Sequence, residues 1–301
     1  MSFDLQVNGY LGTGFTSPAL TAEAAREACR RYLAVGAARF LPTVVTASDA
    51  LYARNLPLLA DLLDEPEFAG ALPGLHLEGP FINAAPGAVG AHPGQWVAPA
   101  DYDHFRRLQD LARGRIRLLT IAADVPGAEG LCRRATADGV VVALGHHLAG
   151  YDDVCRLRDA GARALTHLGN GMPNQVHRHD NPLLAGLAVT GLTAMVIADG
   201  HHLPAHVIKV VLECRGVDDV IVVSDASALA GLPPGDYRDG ERNVVIEPSG
   251  RLWHPERQCL VGSGATLAQC AAHLARLGYS AAAIATLTHD NPARLISRRR
   301  R

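Results

Sequence analysis

Four ionisable side chains follow short apolar runs at widely separated places in the chain: Glu78, His146, His167 and Asp225. Two imidazoles and one carboxylate form a ligand set for a divalent metal that leaves positions free for water and substrate. The second carboxylate could take a proton from that water and return it to a leaving group. If the four converge, we expect a metal held by Glu78, His146 and His167. Asp225 would then be the catalytic acid/base of a hydrolase.

Each of these residues also has an ordinary structural explanation. A glutamate at a strand end commonly anchors a loop, a single histidine is commonly half-buried and hydrogen-bonded, and Asp225 could cap the helix that follows. A polar group directly after an apolar run is costly to bury unless it is paired or metal-bound. Residue types and placement alone leave the catalytic and the structural explanations equally open.

Short runs rich in Val, Ile and Leu, separated by helix-like segments, must position these residues. This alternation predicts parallel βα units. In a closed (β/α)8 barrel all strands open at their carboxyl ends on one face, where barrel enzymes carry their active sites. An open doubly wound sheet is the alternative, because periodicity does not separate the two. The eight predicted strands are Phe3–Asn8, Ala38–Thr43, Gly74–Glu78, Arg117–Ala122, Val140–Gly145, Ala162–His167, Thr193–Asp199 and Val220–Asp225.

Helical patterns occupy the intervals between these strands. One begins at Thr21 with acidic residues early and basic residues late, as the helix dipole favours. The rhythm breaks at residues 231–262, where a Pro-Pro-Gly turn precedes a predicted hairpin insertion. We expect one catalytic domain over residues 1–301, with C-terminal helices at 265–296. The other predicted helices are Ala98–Arg113, Gly127–Asp138, Tyr151–Ala160, Pro204–Arg215, Ala265–Leu277 and Ala281–Leu287, with a final turn at Asn291–Ile296.

Composition favours a globular protein that acts on a small molecule. Of 301 residues, 48% are hydrophobic and 19% charged, which suits a large core. The net charge of -2 predicts no nucleic-acid partner, and the basic end, Arg298–Arg301, is expected to be a solvated tail. No run is apolar enough to span a membrane, and the N-terminus does not resemble a signal peptide. Six cysteines without a CxxC pair favour reduced thiols and a cytoplasmic location.

Several motifs resemble those of the N-acetylglucosamine-6-phosphate deacetylases, a family of the amidohydrolase superfamily. The most specific is the HLEGP run at His76–Pro80, and the resemblance extends from Asp4–Gly9 to Asn291–Arg294 in the same order and spacing. It implies a TIM-type barrel and hydrolysis of an N-acetyl group. The further motifs that carry it are Gly145-His146, Thr166–Pro173, Ile197–His202 and Ser224–Ala226.

The resemblance also implies the metal site. Glu78, His146 and His167 fall on the family's metal ligands, and Asp225 falls on its catalytic aspartate. Many amidohydrolases carry an HxH pair on the first strand, where this chain has Gln6 and Asn8. Carboxamides are poor ligands compared with imidazole, so a single ion is implied. Zn2+ is expected first, with Fe2+, Co2+ or Mn2+ as alternatives.

Substrate contacts follow from the same resemblance. His92 matches a histidine near the substrate amide, and Asn170 and Gly171 match substrate contacts. Arg178 and His202 match positions that hold the sugar phosphate, for which the arginine fork is suited. The family's arginine reaches across a subunit interface, which implies a homodimer. Gln6 and Asn8 are also expected to line the same mouth and to contact the substrate.

Two departures from the family pattern leave the substrate open. The family's accessory β-sandwich is expected to be absent, and the loop at residues 169–181 carries the additional polar groups His177, His179 and Asp180 around Arg178. One alternative is therefore an amidohydrolase that cleaves a non-phosphorylated or cyclic amide. A second alternative is a non-catalytic barrel that binds a sugar phosphate.

Overall fold

The computed structural model describes residues 2–240 and 242–297, and its central feature is a closed barrel of eight parallel strands. All eight predicted strands are present, so the barrel prediction is confirmed and the open sheet is excluded. A parallel bridge between Val7 and Ala226 closes the seam. The strands are β1 (Phe3–Val7), β4 (Arg39–Val45), β5 (Leu75–Glu78), β6 (Ile116–Ile121), β7 (Val141–Leu144), β8 (Ala164–Leu165), β9 (Thr193–Ile197) and β10 (Val220–Val223), with a short hairpin of β2 (Gly9–Tyr10) and β3 (Thr13–Gly14) after β1.

A helix follows each barrel strand and packs on the outside of the sheet. The predicted start at Thr21 is a true N-cap, because its side chain accepts a hydrogen bond from the N–H of Ala24. Helices α2 and α6 lie in intervals for which the sequence analysis predicted no helix. The helices are α1 (Ala22–Val35), α2 (Asp49–Leu63), α3 (Tyr102–Leu111), α4 (Ala128–Ala137), α5 (Tyr151–Ala160), α6 (Pro182–Ala188), α7 (Ala205–Arg215) and α8 (Leu267–Arg276).

Residues 235–260 form a four-stranded antiparallel sheet between β10 and α8, which we call the cap sheet. It contains the predicted hairpin and adds one strand on each side of it. The cap sheet contacts loops at the carboxyl end of the barrel, where the His201 ring bonds the carbonyl of Ser249 at 3.1 Å. Its strands are β11 (Gly235–Asp239), β12 (Arg242–Ile246), β13 (Leu252–His254) and β14 (Cys259–Leu260).

The opposite end of the barrel is closed by the last helix. A short α9 (Ala281–Ala285) leads through a π-helical turn into α10 (Asn291–Ser297), where a turn was predicted. Asn291 donates to the carbonyls of Val217 (2.8 Å) and Val220 (2.6 Å), which fixes the start of α10 at the foot of β10. Leu295 and Ile296 then pack against the apolar interior of the barrel. Burial of these side chains explains why the segment is helical.

Two further properties concern the chain as a whole. Each of the six cysteines is a free thiol. Among the residues that the structure describes, no helix is both long and apolar enough to cross a bilayer. The predicted solvated tail, Arg298–Arg301, lies outside the described residues.

A buried carboxylate lies at the barrel seam, where the first and last strands meet. One oxygen of Asp4 accepts the N–H of Ser224 at 3.1 Å, and the other accepts the hydroxyl of Tyr32 from α1 at 2.5 Å. Burial raises the pKa of Asp4 to about 6 although these donors favour its charged form. In the unfolded chain the pKa is about 3.8, so this group lowers stability progressively as pH rises from about 4 to about 6.

We predict that Tyr32→Phe lowers the free energy of unfolding by about 2 kcal/mol at about pH 7.5, where Asp4 is charged. The loss should be smaller at about pH 5, because the folded protein then holds Asp4 protonated. Urea unfolding of variant and wild type at both pH values measures the difference. Tyr52→Phe is the matched control, since the buried Tyr52 hydroxyl bonds only the backbone of Val45 and Ala47. Equal losses at both pH values for Tyr32→Phe would contradict the assignment.

Candidate active site

The four predicted residues meet at the carboxyl end of the barrel. Glu78 is the last residue of β5, and His146, His167 and Asp225 each lie two residues beyond the end of a barrel strand. The backbones of His146, His167 and Asp225 are left-handed, with φ values of 53°, 30° and 52°, respectively. Such conformations cost about 1–3 kcal/mol each for non-glycine residues and cluster at functional sites. Strain at three of the four positions indicates a site that the surrounding barrel holds in place.

Three ligand atoms form a tight triangle in the barrel mouth. Glu78 Oε1 lies 2.9 Å from His167 Nε2 and 3.3 Å from His146 Nε2, and the two Nε2 atoms are 3.0 Å apart. All three side chains are buried. The carbonyl of Ala88 lies 2.7 Å from His146 Nδ1, so the proton of a neutral His146 is on Nδ1 and its Nε2 presents a lone pair.

This donor set fits a divalent cation. The lone pair of His146 Nε2 faces a carboxylate oxygen at 3.3 Å in a buried space, which is repulsive without a positive charge between the atoms. One proton on His167 Nε2 cannot make good hydrogen bonds to both Glu78 and His146. Two imidazoles and a carboxylate are also the ligand types that Zn2+ and related ions accept.

His92 is a neighbour of this triangle and could be mistaken for a ligand. Glu78, His92 and His146 also have ligand atoms within 4.8 Å of one another. However, His92 Nδ1 lies 2.9 Å from the Thr46 hydroxyl and accepts the Thr46 N–H at 3.4 Å. A neutral His92 therefore has its proton on Nε2, 3.9 Å from Glu78 Oε2, and acts as a donor into the mouth. This favours His167 over His92 as the third ligand.

Charges in the site follow from burial and mutual contact. Burial alone would raise the pKa of the Glu78 carboxyl, but hydrogen bonds and charges from His146 and His167 hold the pKa well below its ordinary value. Burial lowers the pKa of His92 well below its ordinary value, and the neighbouring histidines add to this effect. The site therefore combines an ionised carboxylate with a neutral His92.

Two carboxamides hold the second carboxylate beside the first. The amide nitrogen of Gln6 donates to Glu78 Oε1 and to Asp225 Oδ1, each at 3.0 Å, and Asn8 donates to Asp225 Oδ1 at 2.7 Å. Burial, followed by the charge of Glu78, raises the pKa of Asp225 to about 6. A group with this pKa can both accept and donate a proton near neutral pH.

Gln6 is completely buried beneath the mouth, and its amide nitrogen is engaged between Glu78 and Asp225. It is not among the residues that line the cavity. In this place its side chain orients both carboxylates, and its contact with a substrate stays a prediction. Asn8 does line the cavity and bonds Asp225 as well.

A cavity of about 1360 Å3 opens above these residues. It is lined by Glu78, His92 and Asp225 and by the expected contact residues Asn170 and Gly171. Gly171 has a φ of 61°, and a Cβ there would lie 3.0 Å from His146 Nδ1 and 3.1 Å from the His167 ring. Only glycine lets this loop pass so close to both imidazoles.

The two residues expected to hold a phosphate are placed differently. His202 lines the cavity, and its Nδ1 bonds Asp199 Oδ2 at 2.8 Å. Burial would raise the pKa of Asp199, but the pairing with His202 and two backbone N–H donors hold the pKa below its ordinary value. Arg178, in contrast, is exposed on its loop and does not line the cavity. Within one subunit it does not reach the site.

The wall opposite the barrel strands was not foreseen from the sequence. It is formed by the cap sheet with Arg242, Trp253 and Arg257, and by Trp96 from a turn after His92. The short strands, in which polar and apolar residues alternate, predict a hairpin. They do not indicate which of its two faces is directed toward the barrel. No sequence signal used above could therefore have identified these side chains.

Known proteins similar to this chain are sugar-phosphate deacetylases. No protein-family model matches the chain. The N-acetylglucosamine-6-phosphate deacetylase of Bacillus subtilis is 29% identical over 263 residues, covering 86% of this chain and 65% of the relative. The enzyme of that name from Caenorhabditis elegans is 30% identical over 288 residues, covering 90% of this chain and 66% of the relative. The chain thus spans slightly under two thirds of these curated relatives.

A solved structure agrees with this similarity. A mutant N-acetyl-D-glucosamine-6-phosphate deacetylase from Mycobacterium smegmatis, in complex with N-acetyl-D-glucosamine-6-phosphate, superposes with a TM-score of 0.88 at 27% identity. The match covers 98% of this chain and 76% of that one. Together, the barrel, the motifs and the relatives show that this chain belongs to the N-acetylglucosamine-6-phosphate deacetylase family.

Proposed function

We propose that this protein is a metal-dependent amidohydrolase that removes the acetyl group of N-acetylglucosamine 6-phosphate or of a closely related N-acetyl amino sugar. The observation that carries the proposal is the buried triangle of Glu78, His146 and His167 beside the second carboxylate, Asp225. A purely structural cluster would not place two carboxylates and two imidazoles together at the mouth of a barrel.

The proposed metal ligands are Glu78, His146 and His167, with Zn2+ as the ion that best suits them and Fe2+, Co2+ or Mn2+ as alternatives. When bound, the ion would supply Lewis acidity for a water molecule and for the amide carbonyl. The lone pair of His146 Nε2 is already directed into the site by the bond from Nδ1 to Ala88. We also propose that the barrel and its cap sheet together form a single catalytic domain.

Asp225 and His92 would carry the proton and charge chemistry. The Asp225 carboxylate accepts the proton of the attacking water and delivers a proton to the nitrogen as the C–N bond breaks, giving acetate and a free amine. The Nε2–H of neutral His92 faces the site and would donate to the oxyanion that forms at the amide carbonyl. Asn8 and Gln6 hold Asp225 in position through their amide donors.

A homodimer is also part of the proposal. The apolar side chains Leu148 and Val176 are exposed on the loops that follow β7 and β8. Leu184 is exposed in the first turn of α6, directly after the loop that carries the exposed Arg178. A second subunit would cover them and bring the partner's loop towards the site. The cytoplasmic location expected from the sequence stays a prediction.

We predict that Asp225→Asn lowers the rate of acetate release from N-acetylglucosamine 6-phosphate by about 10^3-fold, because the general acid/base is lost. Metal content should be unchanged. The metal-free variant should also unfold at a higher temperature than metal-free wild type, since the Asn side chain removes the repulsion by Glu78.

Asp124→Asn is the matched control for this variant. Asp124 also lies on a loop after a barrel strand, and its carboxylate bonds Asn83 and the N–H of Leu148 outside the cavity. It should keep near-wild-type turnover. An Asp225→Asn enzyme with a near-normal rate would refute the catalytic role.

We predict that His167→Ala reduces metal bound after dialysis well below one ion per chain, because the triangle loses one of its three ligands. Elemental analysis of the dialysed proteins measures the stoichiometry. His147→Gln is the control, since His147 is also buried but its Nδ1 accepts the N–H of Ala149 instead of facing the site. Unchanged metal content in His167→Ala would exclude it as a ligand.

A further inference from the structure

We infer that a buried hydrogen-bonded network of His76, Thr120 and Thr166, which we call the His76 network, positions the three proposed metal ligands and thereby sets the affinity of the site for a divalent cation. The inference deepens the proposed function and rests on its assignment of the ligands. The three members are positioning residues, because none of them lines the cavity.

The His76 network lies inside the barrel. His76 stands two residues before Glu78 on β5, so both side chains point to the same face of the sheet. His76 Nε2 lies 2.8 Å from the hydroxyl oxygen of Thr120, and that oxygen lies 2.7 Å from the hydroxyl oxygen of Thr166. All three members are buried. Side chains therefore join β5, β6 and the end of β8 one layer below the proposed ligands.

The hydrogen bonds of the network have one consistent direction. The Thr43 hydroxyl donates to the carbonyl of Leu41 at 3.2 Å, so the Nδ1 of His76, 3.4 Å from that hydroxyl, has to be the donor. A neutral His76 then has its proton on Nδ1, and its Nε2 accepts the hydroxyl proton of Thr120. The oxygen of Thr120 accepts the hydroxyl proton of Thr166 in turn. Each polar hydrogen of the network thus has an acceptor, as buried polar groups require.

Two of the proposed ligands are attached to the network through the backbone. Thr120 is the register partner of Glu78 across β5 and β6, and its carbonyl accepts the N–H of Gly79 at 3.1 Å. Thr166 immediately precedes His167. The network therefore borders a metal ligand on two separate strands.

The third ligand, His146, is reached through the glycine before it. The bond between Thr120 and Thr166 crosses β7, which lies between their strands in the sheet. A Cβ on Gly145 would lie 2.7 Å from the Cβ of Thr166 and 3.2 Å from the Cγ2 of Thr120. These distances are below the ~3.5–4.0 Å of a normal contact between carbon atoms, so only glycine lets the two threonines meet here. The pair is thus packed against the backbone that leads into His146.

This arrangement explains how strained backbones are held beside the site. His146 and His167 have φ values of 53° and 30°, and each directly follows a residue that is part of the network or is packed against it. Strain of this kind persists only where the surrounding structure prevents relaxation. Loss of a hydroxyl from the network would let these backbones relax, and the ligand atoms would no longer be arranged before the cation arrives. Because preorganised ligands bind more tightly, the effect is expected in metal affinity.

Binding of Zn2+ to the metal-free protein tests the inference. Thr120→Val removes the central hydroxyl and keeps the shape of the side chain, whereas Thr120→Ser keeps the hydroxyl. Thr288→Val is the matched control, because Thr288 is also buried and its hydroxyl donates to the carbonyl of Ile284 at 2.7 Å, in the π-helical turn before α10. Competition with a chromophoric chelator measures the affinity for Zn2+. Urea unfolding measures the stability of the metal-free proteins.

We expect Thr120→Val to bind Zn2+ about tenfold more weakly than wild type, as is usual when a group that supports a metal ligand is lost. Thr120→Ser should recover most of the affinity. Thr288→Val should lose stability as Thr120→Val does but should keep the wild-type affinity for Zn2+. Thr166→Val, which removes only the outer bond of the network, is a second test and should weaken Zn2+ binding by a smaller factor.

Three results would overturn the inference. The first is wild-type affinity for Zn2+ in both Thr120→Val and Thr166→Val. The second is an equal loss of affinity in Thr288→Val, which would indicate a general loosening of the barrel. The third is a Thr120→Ser protein that binds Zn2+ as weakly as Thr120→Val, because the hydroxyl would then not be the group that acts.

Acetate release, measured separately on the Zn2+-saturated proteins, distinguishes this inference from the proposed function. Wild type that binds Zn2+ and shows the expected pattern of affinities but releases no acetate would reject the proposed substrate and support the inference. Acetate release with unchanged affinities in the variants would reject the inference alone. Wild type that binds no Zn2+ would reject both.

Discussion

The structure depends on one electrostatic constraint: two carboxylates and two imidazoles share a buried space at the end of a barrel. Glu78 and Asp225 repel each other there, and a single amide nitrogen of Gln6 bridges them at 3.0 Å to each. A neutral donor between two carboxylates reduces their repulsion without introducing a charge that would compete with a metal. The Gln-x-Asn pattern of the first strand is explained by this bridge.

The barrel provides the rigidity that this constraint requires. His146, His167 and Asp225 keep left-handed backbones, and their strands are tied into a continuous parallel sheet on both sides. Local strain persists only where the surrounding structure prevents relaxation. The apolar interior and the helix that closes the far end of the barrel provide this support. Stability and chemistry are thus concentrated at opposite ends of the same strands.

The sequence predicted the barrel and the four central residues because each signal was local: an apolar run and the polar residue that ends it. The role of Gln6 could not be predicted this way, since its partners Glu78 and Asp225 lie 72 and 219 residues away. The faces of the cap sheet depend on packing against the barrel, so Arg242 and Arg257 carried no signal. The helix at α10 is stabilised by burial of Leu295 and Ile296, which a local pattern does not reveal.

The cap sheet is fastened to the loop that carries His92. Arg242 holds the carbonyl of Ala91, and Arg257 holds the carbonyl of His92 itself. A shift of the cap sheet would therefore be transmitted to the backbone of His92, whose imidazole faces Glu78. Any change that displaces or rigidifies this sheet would then alter the geometry beside the buried triangle without touching one of its three ligand side chains.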